Sequence, residues 1–510
     1  MSSEQPSPNV ESMRLIFAVQ RKAFELDRYP SYQTRCANLM KLKTLILDNA
    51  DAICAAVSAD FASRSPYETK LLDIFGFVTE INHSLKYLKK WMKPQRRGVS
   101  IWFQPGKAAM QAQPLGVIGI AAPWNYPLYL TLGPLAGALA AGNRAMIKIA
   151  SDSTNFGTLI GQLLAKEFPQ DLVAVVHPGP GINDHFSRMP FDHFIFTGSP
   201  SVGKQVMKNC SENLTPVTLE LGGKSPTVVA PDYSIKTAAE TILWGKCINS
   251  GQTCVAPDYV FIPEGTSNQF IEVARATVAK NYPGKLSSNS DYTSMINDRQ
   301  LHRVNGLLED AREKGAEVIA LADAEDARSA GKLAPHLVLN VSEDMQIMKE
   351  EIFGPLLPVK TYRGLDEVLE YINSHERPLA FYYIDDHRGR TAKTQKKTIS
   401  DGLPVSRRGR LPDLQQDAAD FLSIENQRFS PAQTAVRQAH PPATETHAAL
   451  ILRQTCKRGL SAFDSLSRLR ERGSSLNQQA ISLIGWRFAG ISGHSLSRSH
   501  RARRRQKNRR

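Results

Sequence analysis

Apolar residues recur at helical spacing near the start of the chain, at Leu15, Ile16 and Val19, and again at Leu71, Leu72, Phe75 and Val78 after a cap signal at Ser65-Pro66. Residues 11–95 are therefore expected to be helical. From Gly116 the pattern changes to short apolar runs that alternate with helical ones. Segments 116–120, 145–149, 172–176 and 193–196 read as strands, with helices at 128–141 and 154–167. That alternation predicts a parallel sheet wrapped by helices, with ligands at the carboxyl ends of its strands. A second α/β segment follows from about 260 to 400, with helices near 267–280 and 301–314 and a strand at 337–339.

A chain of 510 residues is too long for one ordinary core, and 42% hydrophobic residues are enough to build two. The segment 108–143 carries no charge, yet Pro114, Pro123, Pro127 and Pro134 interrupt it, so it reads as buried core rather than a membrane span. Six cysteines lie scattered without a CxxC pair, which argues against a disulfide framework and a zinc site and fits a reducing cytoplasm. The start Met1-Ser2-Ser3-Glu4-Gln5-Pro6 lacks the basic and apolar regions of a signal peptide. Most of the formal net charge of +14 falls in residues 401–510.

The chemistry centres on Gly251-Gln252-Thr253-Cys254, where a glycine and two polar residues precede a cysteine and Pro257 follows it. Such a tight backbone presents a thiol rather than packing it, so Cys254 is the candidate nucleophile. Upstream, Glu220 lies between Leu219 and Leu221 ahead of Gly222-Gly223-Lys224, a setting that suits a candidate base. Cys247, on an expected helix, reads as structural. The usual phosphate fingerprints are incomplete. Gly179-Pro180-Gly181 is followed by Asp184 where a third glycine belongs, and after Gly198-Ser199-Pro200-Ser201-Val202-Gly203-Lys204 the magnesium-binding hydroxyl is replaced by Gln205. Gly198 and Ser199 instead end a strand and open a helix, whose N–H groups can hold a pyrophosphate. Lys148 ends another strand, where its ammonium can reach a ribose, whereas Asn125 alone reads equally as a turn residue.

Taken together, these runs resemble the aldehyde dehydrogenase superfamily, whose signatures include Glu-Leu-Gly-Gly-Lys and Gly-Gln-Thr-Cys. The form 249–259 is nearest the class 3 branch and its bacterial subgroup acting on coniferaldehyde. The resemblance implies a Rossmann-type NAD(P)-binding domain with N-terminal helices over 1–258, and a catalytic, thiol-bearing α/β domain, incomplete, over 259–403. It makes Asn125, with the Cys254 N–H, the oxyanion hole, and Glu220 the base that activates water. It assigns Lys148, Gly198, Ser199, Gly203 and Gly222 to the nucleotide, and Glu351 and Phe353, in Glu350-Glu351-Ile352-Phe353-Gly354-Pro355, to the nicotinamide ribose and ring. A glutamate common in the family three residues beyond the lysine is here Ser151, which leaves NADP open beside NAD. The implied reaction is oxidation of an aldehyde, coniferaldehyde to ferulate by subgroup, through a thiohemiacetal and a thioester, with no metal.

After about residue 403 the resemblance ends: the Val-Asn strand, the Pro-Phe-Gly-Gly loop, the Ser-Gly-x-Gly stretch and the oligomerisation strand do not follow. The 404–510 tail is rich in Arg, Gln and Ser and is expected to be disordered or the product of a changed coding frame. Loss of the shared strand sets this chain apart from the homo-oligomer that the family implies. Three readings stand: an active aldehyde dehydrogenase, which is preferred; a remnant that retains nucleotide binding; and a protein that associates with nucleic acid through its Arg clusters. Without interleaved aromatics or a recognisable fold, those clusters imply only nonspecific attraction.

Overall fold

The computed structural model describes residues 8–400, and the readings of the 404–510 tail lie outside them. Helices Pro8–Leu26, Tyr32–Asp48, Ala50–Asp60 and Gly76–Trp91 lead the chain. Leu39, Leu42, Ile46, Ile53, Val57, Phe77 and Ile81 pack with Leu132, Leu135 and Leu139 of the Tyr129–Ala141 helix in one core. Each such side chain, fully buried, contributes about 1.5–3 kcal/mol. The Tyr129–Ala141 helix stops at Gly142, whose φ of +87° suits a glycine, while Arg35 donates to the last-turn carbonyls of Ala140 and Ala141 at 3.2 and 2.7 Å.

Two helical faces differ from the expected ones. Leu15 and Val19 are 63% and 48% exposed, and the first helix buries Val10, Met13 and Gln20. A neighbouring stripe of the same period wins because Gln20 anchors the helix to the carbonyls of Ala145 and Gln170, both at 3.0 Å. In the second case a π-helical turn, Thr69–Phe75, inserts ahead of Gly76–Trp91. It rotates the face so that Asp73 and Ile74 are buried while Phe75 is exposed.

The strands are β1 (Gln95–Arg97), β2 (Ala108–Met110), β3 (Val117–Ala121), β4 (Arg144–Lys148), β5 (Val173–Val176), β6 (His193–Gly198), β7 (Val217–Leu221), β8 (Pro226–Val229), β9 (Tyr259–Pro263), β10 (Glu317–Ala320), β11 (His336–Leu339), β12 (Leu356–Tyr362) and β13 (Tyr382–Ile384). β1 and β2 form an antiparallel hairpin. The first large sheet runs β5-β4-β3-β6-β7, all parallel. Its direction of winding reverses between β3 and β6, which opens a crevice at their carboxyl ends. The second runs β10-β11-β12-β9-β8-β13, parallel except for β10 against β11. Helices pack on both sheets, so inner strands such as β3 and β8 are buried throughout, while the edge strand β7, Val-Thr-Leu-Glu-Leu, alternates.

The chain passes from the first sheet to the second between Leu221 and Pro226, ahead of residue 258. The thiol loop therefore precedes β9 and belongs to the second sheet. Helices Ser267–Asn281 and Asp298–Glu313 match their expected places, the latter starting earlier because Asn297 caps it on the Gln300 N–H at 2.9 Å. The uncharged 108–143 run supplies β2, β3 and the buried Tyr129–Ala141 helix. Among the described residues no helix is long and apolar enough to cross a membrane.

Candidate active site

The helix Ile235–Cys247 runs into a backbone that few sequences tolerate: Asn249, Ser250 and Gly251 have φ of +51°, +51° and +70°. Gly251 is required twice over, because a Cβ there would lie 2.3 Å from the Gly354 carbonyl oxygen. Asn249 tolerates the left-handed region better than most residues. Its N–H meets the Glu68 carboxylate at 3.2 Å, and its Nδ2 donates to the carbonyls of Asn125 and Gln252, both at 3.1 Å. Ser250 donates to the Thr293 carbonyl. Gln252 is fully buried and locks the turn: Nε2 donates to Asn249 O and Ser294 O at 2.9 and 3.1 Å, and Oε1 accepts from the Ile296 N–H at 3.0 Å. Cys254 emerges half-buried against Leu379, Ala380 and Tyr382. Cys247 is buried, and desolvation pushes its thiol up to about 12, so it is the packed cysteine of the pair.

Asn125 lies in the loop after β3 and is buried. Its Nδ2 donates to Gln252 O at 3.3 Å, and its neighbour Tyr126 shares a 2.7 Å hydrogen bond with the Thr253 hydroxyl. The loop leaving the first sheet is thus stitched to the thiol loop of the second. A carboxamide carries two N–H donors, and the bond to Gln252 O accounts for one of those of Asn125.

Glu351 and Phe353 approach from the loop before β12. Phe353 adopts φ +47°, and its ring meets Trp124 edge to face at 5.4 Å. The Glu351 carboxylate packs on the backbone of Gly222, where a Cβ would stand 1.9 Å from Oε2, and it accepts from the Gly223 N–H. Burial, with Asp258 nearby, raises Glu351 to about 8. The loop is pinned from behind. Arg303 donates to the Ile352 carbonyl at 2.6 Å, the Asp258 carboxylate accepts from the Ile352 N–H at 3.0 Å, and Lys224 pairs with Asp258 while donating to Ile347 O and Glu350 O at 2.8 and 2.9 Å. Lys246 lies alongside, fully buried, with no hydrogen-bond partner for Nζ among the described residues, and desolvation lowers it to about 8.

The remaining predicted residues line the carboxyl edge of the first sheet. Lys148 ends β4, where its Nζ, lowered by desolvation, donates to Asn183 at 2.7 Å. Gly198 ends β6, and Ser199 caps the twelve-residue Pro200–Ser211 helix, accepting from the Val202 N–H. Gly203 lets that helix pack on Leu221, whose Cδ2 would lie 2.7 Å from a Cβ. Glu220 is half-buried on β7, in register with Thr197. Ser151 is exposed in the turn after β4, whereas the next carboxylate, Asp152, is engaged by Asn297 at 2.9 Å.

These positions suit a nicotinamide dinucleotide. Glu351 Oε1 is buried without a hydrogen-bond partner among the described residues, as a carboxyl group waiting for a hydroxyl would be. A family model for the aldehyde dehydrogenase family matches residues 4–397. The chain belongs to the aldehyde dehydrogenase family. It is 46% identical over 401 residues to a probable coniferyl aldehyde dehydrogenase of Pseudomonas aeruginosa, covering 78% of this chain and 83% of that protein. A coniferyl aldehyde dehydrogenase of a Pseudomonas species is 41% identical over 389 residues, 76% and 80% of the two chains. Among solved structures, substrate-bound Staphylococcus aureus AldH matches with a TM-score of 0.71 at 32% identity, over 76% of this chain and 83% of that one. The Mycobacterium tuberculosis aldehyde dehydrogenase complexed with NAD+ shares the fold, with a TM-score of 0.70 at 24% identity over 77% and 81%. Membership of this family supports aldehyde oxidation with a nicotinamide cofactor as the activity class.

Sequence reasoning missed the groups that hold this aldehyde dehydrogenase site in place. Asn249, Gln252 and Asp258 stood inside the thiol run, and the demand for a bent, buried loop was the signal that could have singled them out. Arg64, Glu68 and Arg303 gave no signal, because isolated charged residues usually read as surface.

Proposed function

We propose that the protein oxidises an aromatic enal such as coniferaldehyde to its carboxylic acid, using NAD or NADP. Cys254 adds as thiolate to the aldehyde carbon, and the developing oxyanion accepts hydrogen bonds from the Asn125 amide and the Cys254 N–H. When bound against Glu351 and Phe353, the nicotinamide would supply the hydride acceptor, and Cys254 would then carry the acyl group as a thioester. Glu220 removes a proton from the water that attacks this thioester, and the acid departs with the thiol restored. Lys148, Ser199, Glu351 and Phe353 would hold the cofactor, with Gly198, Gly203 and Gly222 letting Phe196, Leu221 and Glu351 pack close around it. Ser151 places no carboxylate against a 2′-phosphate, so both cofactors are admitted.

The observation that carries this reading is the Asn125–Gln252 link, which sets an amide from one sheet against the thiol loop of the other. The choice of aldehyde follows the two coniferyl aldehyde dehydrogenases to which the chain is similar. Absorbance at the reduced-nicotinamide band, after mixing the protein with coniferaldehyde and either cofactor, tests it. Turnover that vanishes in Cys254→Ala is the expected result. Undiminished turnover in that variant would remove the covalent mechanism.

A further inference from the structure

Under the Asn125 loop lies a buried ionic cluster that the proposed chemistry does not use. Arg64 is 1% exposed, just after the Ala50–Asp60 helix. Its Nη1 donates to Asn125 O at 2.9 Å, and its Nη2 donates to Asp73 Oδ2 at 3.1 Å. Nε stands 4.0 Å from the Glu68 carboxylate, and the guanidinium lies 4.9 Å from the Tyr126 ring centre. Glu68 in turn accepts from the Asn249 N–H at 3.2 Å and from the Thr293 hydroxyl at 2.9 Å. Asn249 closes the circuit, because its Nδ2 reaches the same Asn125 carbonyl at 3.1 Å. Asp73 is fixed independently through the Tyr129 N–H at 3.0 Å.

A buried ion pair costs several kcal/mol per ion in desolvation, and well-packed apolar residues usually replace it without loss of stability. The cluster is therefore poorly explained by stability alone. What it does supply is geometry: one planar guanidinium bridges the Asn125 carbonyl and Asp73 with fixed angles, which a lysine ammonium cannot reproduce. The Asn125 peptide is then held from below while its side chain is held from the front by Gln252 O.

We propose that Arg64 is a positioning residue for oxyanion stabilisation, holding the Asn125 peptide so that the amide N–H not bonded to Gln252 faces the oxygen of the carbonyl attacked by Cys254. The inference rests on the role proposed above for Asn125. Its test uses the full chain as Arg64→Lys, Asn125→Ala and the double variant. Three quantities are measured: kcat with coniferaldehyde, cofactor affinity by protein fluorescence, and the rate of Cys254 alkylation by iodoacetamide. Alkylation develops no oxyanion, so it reports the thiol loop without the amide. Arg64→Lys should lower kcat by roughly tenfold to a hundredfold, leave affinity and alkylation within about twofold, and add nothing to the loss in Asn125→Ala. Additive losses in the double variant, or alkylation falling in step with kcat, would overturn the positioning role while leaving the oxyanion reading intact. An unchanged kcat in Asn125→Ala would instead remove the oxyanion reading and this inference with it. Should Arg64→Lys prove insoluble, Asp73→Asn loosens the same guanidinium, and the same split is required of it.

Discussion

The two sheets bring their residues to the site in different ways. The first offers the carboxyl ends of parallel strands: Lys148 closes β4, Gly198 closes β6, Glu220 sits near the end of β7, and Asn125 follows β3. Regular structure places these side chains, and the β3/β6 reversal makes the crevice. The second offers the loops ahead of β9 and β12, where Asn249, Ser250, Gly251 and Phe353 all take positive φ. Here buried side chains impose the geometry: Gln252, Glu68, Arg303 and Asp258 hold peptide groups that no helix or strand holds. One half of the site is a by-product of the fold, and the other half is built at a conformational cost. Left-handed non-glycine residues cost on the order of 1–3 kcal/mol each.

The largest expected effect comes from pressing on the strained half. Gly251→Ala adds a Cβ at φ +70° against the Gly354 carbonyl at 2.3 Å, and neither backbone can yield cheaply. A loss of roughly a hundredfold or more in kcat/KM is expected, since a shift of about 1 Å at the reacting atoms costs that much. The matching change on the other half, Gly161→Ala in the Thr154–Glu167 helix, meets mainly the His177 ring at 3.1 Å and should alter kcat/KM by less than about threefold. Equal losses in the two variants would erase the contrast.

The same contrast governs what the sequence discloses. The 154–167 helix and strands β3 to β6 of the first sheet were legible because burial on one or both faces writes a period into the chain, whereas β7, which carries Glu220, was not legible as a strand. The bend ahead of Cys254 was legible through Gly251 and its polar neighbours. Asp73 was not, since it falls between the apolar positions 71, 72, 75 and 78 on the side the period reads as polar, and the π-helical turn brings it inside, where its bond to Arg64 makes its burial tolerable. Arg64 and Arg303 reach across the fold to carbonyls far away in sequence, which no local pattern records. The passage from one sheet to the other at 222–225 was hidden too, because Gly222 and Gly223 serve a contact with Glu351 rather than marking a linker.

A middle-sized effect is expected from pH. With its carboxyl raised to about 8, Glu351 is largely protonated in the free protein at pH 7 and ionised above pH 9. An ionised carboxylate accepts a ribose hydroxyl more strongly than a neutral acid. Cofactor affinity, read by fluorescence quenching, should therefore tighten as pH rises from about 7 to 9, by up to roughly tenfold. Glu351→Gln should bind weakly and lose this slope, and a slope that survives in Glu351→Gln would assign it to another group.

The smallest effect concerns Lys246, behind the same loop. Its folded value, lowered to about 8, means that the unfolded chain binds the proton more tightly, so burial of this charge costs stability below about pH 8, and the cost fades as pH climbs toward the ordinary lysine value. Lys246→Met should raise Tm at pH 7 by about 2–4 °C, with a gain that shrinks toward pH 10. A lower Tm at pH 7 would show that the ammonium has a stabilising partner.

The central claim is that the two halves converge on one covalent event at Cys254. Its most direct measurement is peptide mass spectrometry of the Glu220→Gln variant after incubation with coniferaldehyde and NAD or NADP. Without its base the thioester should be slow to hydrolyse, so an acyl adduct should accumulate on the peptide containing Cys254, only when cofactor is present. Formation of the acid with no adduct on Cys254, or an adduct on another cysteine, would contradict the account.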